Sequence, residues 1–222
     1  MMHSSTRAAQ APAIKAFESF DEARLREMSP NGSLRTFPRK TVVVNEGDLT
    51  DSLYVVMSGS VKIYMSDAKG KEVIVAVIRA GDYFGEVVLD GGPRSASVAT
   101  LENCRLFVIP QGDVRGLVER NAEFANDLIL RLISRVRSLA DTVRSLALKD
   151  VYGRLVDFLE SQAIEEGGTR VVHDRLTQNE LAARIGASRE MVSRILKDLG
   201  AGGYISVAGK QITLHRKLPA RW

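Results

Sequence analysis

Short apolar runs separated by turn residues dominate the chain from about Leu34 to Pro110. Six of these runs are predicted as strands, at 41–44, 53–57, 60–65, 72–78, 97–100 and 105–109. Val61, Ile63 and Met65 alternate with polar residues, as in a strand with one buried face. Glycines at 47, 59, 70 and 81 recur at the spacing of one strand plus one turn. The pattern predicts a β-roll or jelly roll.

A different repeat follows, from about Ala122 to Leu148. Its apolar residues step alternately by four and three: Ala125, Ile129, Leu132, Val136, Leu139, Val143 and Leu146. Such a stripe predicts one helix, roughly 40 Å long, that pairs with the same helix of a second copy. The alternative is a helix packed on its own β domain. The narrow stripe favours the dimer, because a helix facing its own core usually carries a wider apolar face.

A second helix is predicted from Val151 to about Gln162, with Asp150 as its N-cap. Leu155, Phe158 and Leu159 face inward on it. A domain boundary therefore lies near residues 147–150, and residues 167–169 are predicted as a loop.

Residues 177–199 have the pattern of two short helices joined by a tight turn. Thr177 is predicted to cap a helix over 178–185, with Glu180 completing a capping box. Gly186 allows the turn, and Ser188 caps the second helix. The apolar residues expected to face inward are Leu181, Ala182, Ile185, Val192, Ile195, Leu196 and Leu199. Two short strands around Lys210 follow, so the segment is predicted as a helix-turn-helix with a wing.

Polar and charged residues form one solvent-facing stripe on the second of these helices. Arginine can bond guanine in bidentate fashion, glutamate can accept from cytosine, and lysine can neutralise phosphate. The alternative is an ordinary helical hairpin with a solvated face, but a glutamate beside phosphates favours base reading. The predicted DNA-binding residues are Thr177, Gln178, Ser188, Arg189, Glu190, Ser193, Arg194, Lys197 and Lys210.

Charge and composition agree with this division. Of the 222 residues, 167–222 hold ten Lys or Arg against four Asp or Glu, while the remainder is slightly acidic. A basic segment joined to an acidic body indicates a polyanion-binding module. The longest apolar run has six residues, which predicts no membrane span. A single cysteine, Cys104, excludes an internal disulfide and fits a cytoplasmic protein.

The whole arrangement resembles the family of the cyclic-AMP receptor protein and the fumarate–nitrate regulator, which are bacterial transcription factors. The motifs that carry the resemblance are EGD (46–48), SGSVKIY (58–64), GDYFGE (81–86), PRSASV (93–98) and SREMVSRILK (188–197). It implies an α+β fold, with a cyclic-nucleotide-binding type of β-roll, a long dimerisation helix and a C-terminal winged helix-turn-helix. It also implies a homodimer that binds a palindromic operator in double-stranded DNA and recruits RNA polymerase.

An effector site is expected at the GDYFGE and PRSASV motifs. Gly85 lets backbone N–H groups approach an anion, and Glu86 can accept from a ribose hydroxyl. Arg94 and Ser95 can hold a phosphate by charge and hydrogen bonds. The resemblance implies these roles for cyclic AMP. It also implies base contacts from the long helix, where this chain has Leu139 and Ala140 in place of polar residues. Cyclic di-GMP, another small molecule, or activity without ligand are therefore alternatives.

Other classes of site and function fit less well. One cysteine cannot hold an iron–sulfur cluster, and all three histidines, His3, His173 and His215, lie outside the predicted β-roll, so neither haem nor another metal is expected. The same lack of ligands argues against a cupin-like enzyme, and the chain is predicted not to be an enzyme. A nucleotide-binding module that regulates a protein partner would leave the basic helix stripe unexplained.

The predicted organisation has four parts: a partly disordered lead-in over 1–18, an effector-binding β-roll over 19–121, a dimerisation helix over 122–148 and a DNA-binding domain over 149–222. The function expected is that of a transcription regulator whose DNA affinity responds to the effector. It is predicted to be an activator, with a regulator that both activates and represses as the alternative.

Overall fold

The structure is a computed structural model, and it describes residues 21–49, 51–173 and 176–219. The predicted lead-in over 1–18 lies outside the described residues. The chain forms two compact units, one within residues 1–63 and 76–139 and the other within residues 64–75 and 140–222.

Eight strands form the β-roll: β1 (Ser33–Phe37), β2 (Val42–Val44), β3 (Ser52–Ser58), β4 (Ser60–Ser66), β5 (Glu72–Arg79), β6 (Tyr83–Phe84), β7 (Ser97–Thr100) and β8 (Cys104–Pro110). They lie in two four-stranded sheets, ordered β1-β8-β3-β6 and β2-β7-β4-β5. The six predicted strands are confirmed, and β1 and β6 are additional. The predicted burial of β4 is wrong at Met65, which is 46% exposed at the end of the strand.

Two apolar clusters make up the core of the first unit. One contains Leu53, Tyr83 and Phe107 from the β-roll, with Phe124 and Leu128 from the long helix that begins at Ala122 packed against them. The other contains Val61, Phe84 and Leu106. Because neighbouring residues on β3, β6 and β8 contribute to different clusters, the strands alternate in the direction of their buried side chains.

The turn between β3 and β4 shows why glycine recurs in the sequence. Gly59 has φ +84°, in the left-handed region that glycine adopts readily. A Cβ at this position would lie 2.6 Å from the carbonyl oxygen of Asn103. Any other residue would therefore be strained and also lack space.

The first unit also contains α1 (Glu22–Met28) and α2 (Gln111–Arg120), and a third helix, α3 (Ala122–Leu148), begins in it and runs into the second unit after residue 139. The predicted bounds of α3 are confirmed, whereas α1 and α2 were not predicted. Most of the heptad stripe lies on the surface of the chain, with Val136 and Val143 each 65% exposed. A different face, beginning with Phe124 and Leu128, packs on the β-roll. The stripe is therefore not used to pack α3 on its own β domain.

The second unit contains α4 (Val151–Gln162), β9 (Ala163–Glu166), β10 (Thr169–Val172), α5 (Gln178–Ile185), α6 (Arg189–Ala201), β11 (Ile205–Ala208) and β12 (Gln211–Leu214). The strands form one sheet in the order β11-β12-β10-β9. All seven inward-facing residues predicted on α5 and α6 are buried. Phe158 is only half-buried, with the Arg184 guanidinium 5.7 Å from its ring centre.

The segment between α4 and α5 differs from the prediction. Residues 163–172 form a hairpin, and Thr169 begins β10 rather than belonging to the loop. The strands are only four residues each, and β9 is mostly exposed, so apolar alternation was too brief to predict them.

Asp113 fastens the segment after α1 to the start of α2. Its carboxylate accepts from Ser29 Oγ at 2.5 Å, Asn31 Nδ2 at 2.9 Å and the Asn31 backbone N–H at 3.2 Å. Burial acts to raise the pKa of Asp113, but these hydrogen bonds outweigh it and lower the pKa. Since Ser29 is fully buried, its hydroxyl depends on this partner.

We expect Asp113→Ala to lower the free energy of unfolding by about 1–3 kcal/mol, because it leaves a buried hydroxyl without an acceptor. The difference from the unmodified protein should be full above pH about 3.9, the unfolded value for Asp. It should shrink as the pH falls through the lower native pKa. Urea unfolding at several pH values measures both effects. Asp141→Ala, at an exposed carboxylate, is the matched control, and equal losses in the two variants would contradict the assignment.

Candidate effector site and nucleic-acid interface

Gly85 joins β6 to a short 3-10 turn, Glu86–Leu89, and lies against the guanidinium of Arg94. Its φ is +91°, so a non-glycine residue would be strained. A Cβ here would lie 2.7 Å from Arg94 Nη1 and 3.1 Å from the Ser52 carbonyl oxygen. The glycine thus leaves space for a guanidinium directly against the backbone.

Arg94 is 4% exposed and has no carboxylate partner within the described ranges, a combination that is rare for an arginine. Nη1 donates to the Gly85 carbonyl at 3.0 Å, and Nη2 donates to the Ser52 carbonyl at 2.5 Å. The Tyr54 ring centre is 5.8 Å from the guanidinium carbon. Nε is buried without a hydrogen-bond partner among the described residues. Burial lowers the pKa of Arg94, which indicates that its charge is incompletely compensated.

The EGD motif holds the main chain around Arg94 in place. The Gly47 N–H donates to the Arg94 carbonyl at 2.8 Å, and the Arg94 N–H donates to the Asp48 carbonyl at 2.9 Å. Next to them, the Glu46 N–H donates to Ser97 Oγ at 2.9 Å. Two motifs some fifty positions apart in sequence therefore form one support for the guanidinium.

Glu86 is paired with Arg135 of α3, a residue that the sequence did not single out for this site. Burial would lower the pKa of Arg135, but the charge of Glu86 and its hydrogen bond, with help from Asp82, raise it instead. The available signal was its spacing: Arg135 lies one helical turn before Leu139, at the edge of the apolar stripe.

The predicted effector residues differ in their surroundings. Gly85, Glu86 and Arg94 are brought together by β6, its 3-10 turn and the support described above. Ser95 follows Arg94 and is exposed. Leu139 is 45% exposed on α3, and Ala140 is exposed beside it.

The predicted caps form on both helices of the helix-turn-helix. The Thr177 N–H donates to Glu180 Oε2 at 2.7 Å, and the Glu180 N–H donates to Thr177 Oγ1 at 3.2 Å, which completes the capping box. Gly186 has φ +64° at the turn, and Ser188 Oγ accepts from the Met191 N–H at 3.2 Å. These local bonds fix where α5 and α6 begin.

A groove with a volume of about 1000 Å³ lies between α6, the start of α5 and the β11–β12 wing. The predicted DNA-binding residues that line it are Thr177, Gln178, Arg189, Ser193, Lys197 and Lys210. Glu190 and Arg194 are exposed elsewhere on α6, with Arg194 Nη2 2.9 Å from Met191 Sδ. Ser188 is the cap itself. The groove thus presents three cationic side chains beside hydroxyl and amide groups, which suits phosphate and base edges.

Arg154 of α4 contacts the turn between α5 and α6, and the sequence did not single it out. Nε donates to the Ile185 carbonyl at 2.7 Å, and Nη2 lies 3.4 Å from the Gly186 carbonyl oxygen. Nη1 donates to the carbonyl of Lys149 at 2.8 Å, just after α3 ends. One side chain therefore ties the turn before α6 to the end of the long helix.

Comparison with known proteins agrees with this geometry. Residues 34–121 match the Cyclic nucleotide-binding domain family, and residues 153–217 match the Crp-like helix-turn-helix domain family. The CRP-like cAMP-activated global transcriptional regulator of Mycobacterium tuberculosis (strain ATCC 25618 / H37Rv) is 34% identical over 184 residues, covering 80% of this chain and 82% of that protein. The chain belongs to the CRP/FNR family of transcription regulators.

Further relatives of this family support the same assignment. The cAMP-activated global transcriptional regulator CRP of Haemophilus influenzae is 33% identical over 187 residues, covering 82% of this chain and 84% of that protein. Among solved structures, the c-di-GMP responsive global regulator CLP of Xanthomonas campestris superimposes with a TM-score of 0.77 at 26% identity, covering 88% of this chain and all of that one.

Family membership makes this chain a DNA-binding transcription regulator with a cyclic nucleotide-binding domain. Gly85, Glu86 and Arg94 lie within the nucleotide-binding match, and the groove residues lie within the helix-turn-helix match. Arg135, Leu139 and Ala140 fall between the two matches. The ion pair from Arg135 of α3 to Glu86 therefore reaches the site from outside the nucleotide-binding match.

Among the described residues, no three or more His, Cys, Asp and Glu side chains are grouped in a way that could hold a metal ion. No helix within the same residues is long and apolar enough to cross a membrane.

We expect Arg154→Gln to weaken DNA binding about tenfold, because the turn before α6 loses charge-assisted hydrogen bonds to its carbonyls. The measurement is fluorescence anisotropy at fixed salt, with a duplex selected by the unmodified protein from a random library. Arg144→Gln removes an exposed arginine near the end of α3 and should leave the affinity unchanged. Similar affinities for the two variants would contradict the role of Arg154.

Proposed function

We propose that this protein is a homodimeric transcription regulator whose affinity for a palindromic operator is controlled by a cyclic nucleotide in the β-roll, with cyclic AMP favoured. It would act as an activator that recruits RNA polymerase in the bacterial cytoplasm, where the DNA is. The single observation that carries the effector site is the buried guanidinium of Arg94, beside Gly85 and Glu86, with an Nε that has no hydrogen-bond partner among the described residues.

The surroundings of Arg94 suit an anion that also carries hydroxyl groups. Neutral carbonyls supply only part of what a buried guanidinium requires, and a phosphate would supply both charge and acceptors. Glu86, 18% exposed, presents a carboxylate that can accept from a hydroxyl. A cyclic nucleotide combines a phosphate and a ribose hydroxyl in one small molecule. The neighbouring Ser95 hydroxyl is exposed and available as a further donor.

The effector has two candidates, cyclic AMP and cyclic di-GMP, because the nucleotide base would contact α3, where Leu139 and Ala140 lie. The relatives from Mycobacterium tuberculosis and Haemophilus influenzae are named as cAMP-activated, which supports cyclic AMP. The relative from Xanthomonas campestris is described as c-di-GMP responsive. Leu139 and Ala140 offer no hydrogen bond to a base, and this favours cyclic di-GMP or another effector as the second candidate.

The exposed stripe of α3 supports the homodimer. Five members of the stripe, Ile129, Val136, Leu139, Val143 and Leu146, are between 42% and 65% exposed in the single chain. Such a stripe at heptad spacing is stable when a second identical helix covers it. A two-fold dimer requires a two-fold operator, with half-sites about 34 Å apart in adjacent turns of the major groove.

Control of DNA affinity would follow from the position of α3. Effector at Glu86 and Arg94 would favour one of two dimer states, and the DNA-binding domains would reorient about a hinge near Asp150. Asp150 caps α4 through the Gly153 N–H at 2.7 Å, so the chain changes direction at a defined residue. An equal affinity of the effector for both states would produce no control.

We expect Arg94→Ala to weaken nucleotide binding about 10- to 100-fold, because it removes the cation that would face the phosphate. Calorimetry with cyclic AMP, cyclic GMP and cyclic di-GMP at fixed salt measures this, with Arg115→Ala on α2 as an exposed control. Nucleotide binding that survives in Arg94→Ala would contradict the site. If none of the three binds to the unmodified protein while it still binds DNA, then the effector is a different molecule or none is needed.

We expect Arg189→Ala to relax the preference for one guanine in a TGTGA-like half-site, at a cost of about 1–3 kcal/mol. Selection from a random duplex library, followed by affinity measurements on single-base variants, provides the readout. An equal loss of affinity on every sequence would place Arg189 on phosphate instead. Recovery of single half-sites rather than inverted pairs by the unmodified protein would contradict the dimer.

A further inference from the structure

Five charged side chains alternate in sign from the second turn of α3 to the 3-10 turn of the effector site. We call them the charge ladder: Asp127, Arg131, Asp82, Arg135 and Glu86. Arg131 Nε lies 2.9 Å from Asp127 Oδ2, and Arg131 Nη1 lies 2.6 Å from Asp82 Oδ1. Arg135 Nη2 lies 3.8 Å from Asp82 Oδ1, and the same guanidinium is paired with Glu86. Each arginine therefore contacts two carboxylates.

The ladder follows from the spacing of residues on α3. Asp127, Arg131 and Arg135 are four residues apart, so they lie on one face of the helix. This face is distinct from the apolar stripe and is directed at β6. Tyr83 lies beneath both arginines, with its ring centre 5.1 Å from the Arg131 guanidinium carbon and 5.5 Å from that of Arg135. The Tyr83 carbonyl also accepts from Arg135.

Asp127 is the most deeply buried member of the ladder. Its side chain is 3% exposed, against 13% for Arg131 and 22% for Arg135. Oδ1 is buried and has no hydrogen-bond partner among the described residues. Burying a carboxylate that is hydrogen-bonded at only one oxygen costs desolvation free energy. Apolar side chains of similar volume would stabilise the contact between α3 and the β-roll at least as well. The placement therefore points to a task other than stability.

The geometry assigns to Asp127 the role of a positioning residue for the effector site. We propose that it holds Arg131 against Asp82, so that Asp82 in turn presents Arg135 to Glu86. Within the part of the chain that the structure describes, Asp127 contacts neither Glu86 nor Arg135, and it acts through Arg131 and Asp82. This inference rests on the proposed function of Glu86 as an effector-binding carboxylate.

The ladder gives an effector a way to act on α3. A ligand hydroxyl that bonds to Glu86 shares the carboxylate of the Glu86–Arg135 pair, which Arg135 holds in place. Any weakening of that pair is felt by Asp82 and Arg131, because the same guanidiniums and carboxylates are shared along the ladder. The ladder connects Glu86 to a helix turn close to the apolar core formed by Phe124 and Leu128.

The first test needs no effector. The side-chain 15Nε resonance of Arg135 is recorded in the full-length protein, and its assignment is confirmed with Arg135→Lys. We expect Asp127→Asn to move this resonance although position 127 does not contact Arg135. The matched control is Asp141→Asn, a carboxylate on the same helix that is 72% exposed and pairs with Arg144. Circular dichroism and gel filtration show whether each variant keeps its fold. If Asp127→Asn unfolds, then Asp127→Glu, which retains the charge, is measured in its place.

The second test is a double-mutant cycle on nucleotide binding, with cyclic AMP, cyclic GMP and cyclic di-GMP as probes. We expect Asp127→Asn to raise the dissociation constant about three- to tenfold when Glu86 is present, and to have little further effect in Glu86→Gln. Additive effects would overturn the proposal, as would an unmoved Arg135 resonance in the first test. If no probe binds to the unmodified protein, the proposed effector is wrong, and the Arg135 resonance alone decides whether the ladder operates.

Discussion

The burial of one guanidinium is the constraint on which the β-roll of this protein depends. Arg94 is nearly inaccessible, and its head group lies where two backbone carbonyls converge. This requires a residue without a Cβ at position 85 and a main chain fixed by the EGD motif. It also requires that the Ser52 carbonyl of β3 lies within hydrogen-bond distance of the guanidinium. Burying a cation costs desolvation free energy, and carbonyl dipoles alone offset that cost incompletely. Such burial is therefore expected where a site needs a fixed positive charge. The surroundings of Arg94 thus support the anion site that we propose.

The long helix α3 has two faces of different chemical character. One face carries apolar side chains at heptad spacing and leaves them exposed, while another carries Asp127, Arg131 and Arg135 against β6. Apolar surface favours association without directional preference, whereas the charged face holds the helix at specific atoms of the effector site. A helix with both properties suits the proposed dimer and the proposed response to a ligand at Glu86.

Much of this fold could be predicted because its long elements have clear periods. The heptad repeat gave the bounds of α3, and the capping residues Thr177 and Ser188 marked the starts of α5 and α6. What escaped prediction was short or was determined by tertiary contacts. The four-residue strands β9 and β10 are too brief for an apolar period, and β6 is only two residues long. Met65 fits the alternation of β4 but lies where the strand leaves the core.

The candidate sites show the same division. Gly85, Glu86 and Arg94 were predictable because local motifs carry them, as was the stripe on α6. Arg135 and Arg154 were not, since each acts on atoms distant in sequence, and a surface arginine on a helix has the same local pattern. Both bind groups whose positions only the folded chain defines: the Glu86 carboxylate for Arg135, and the carbonyls of Lys149 and Ile185 for Arg154. Local sequence therefore indicates which residues form the candidate effector site and the candidate DNA-binding groove, while long-range arginine contacts specify how the elements that carry them are held.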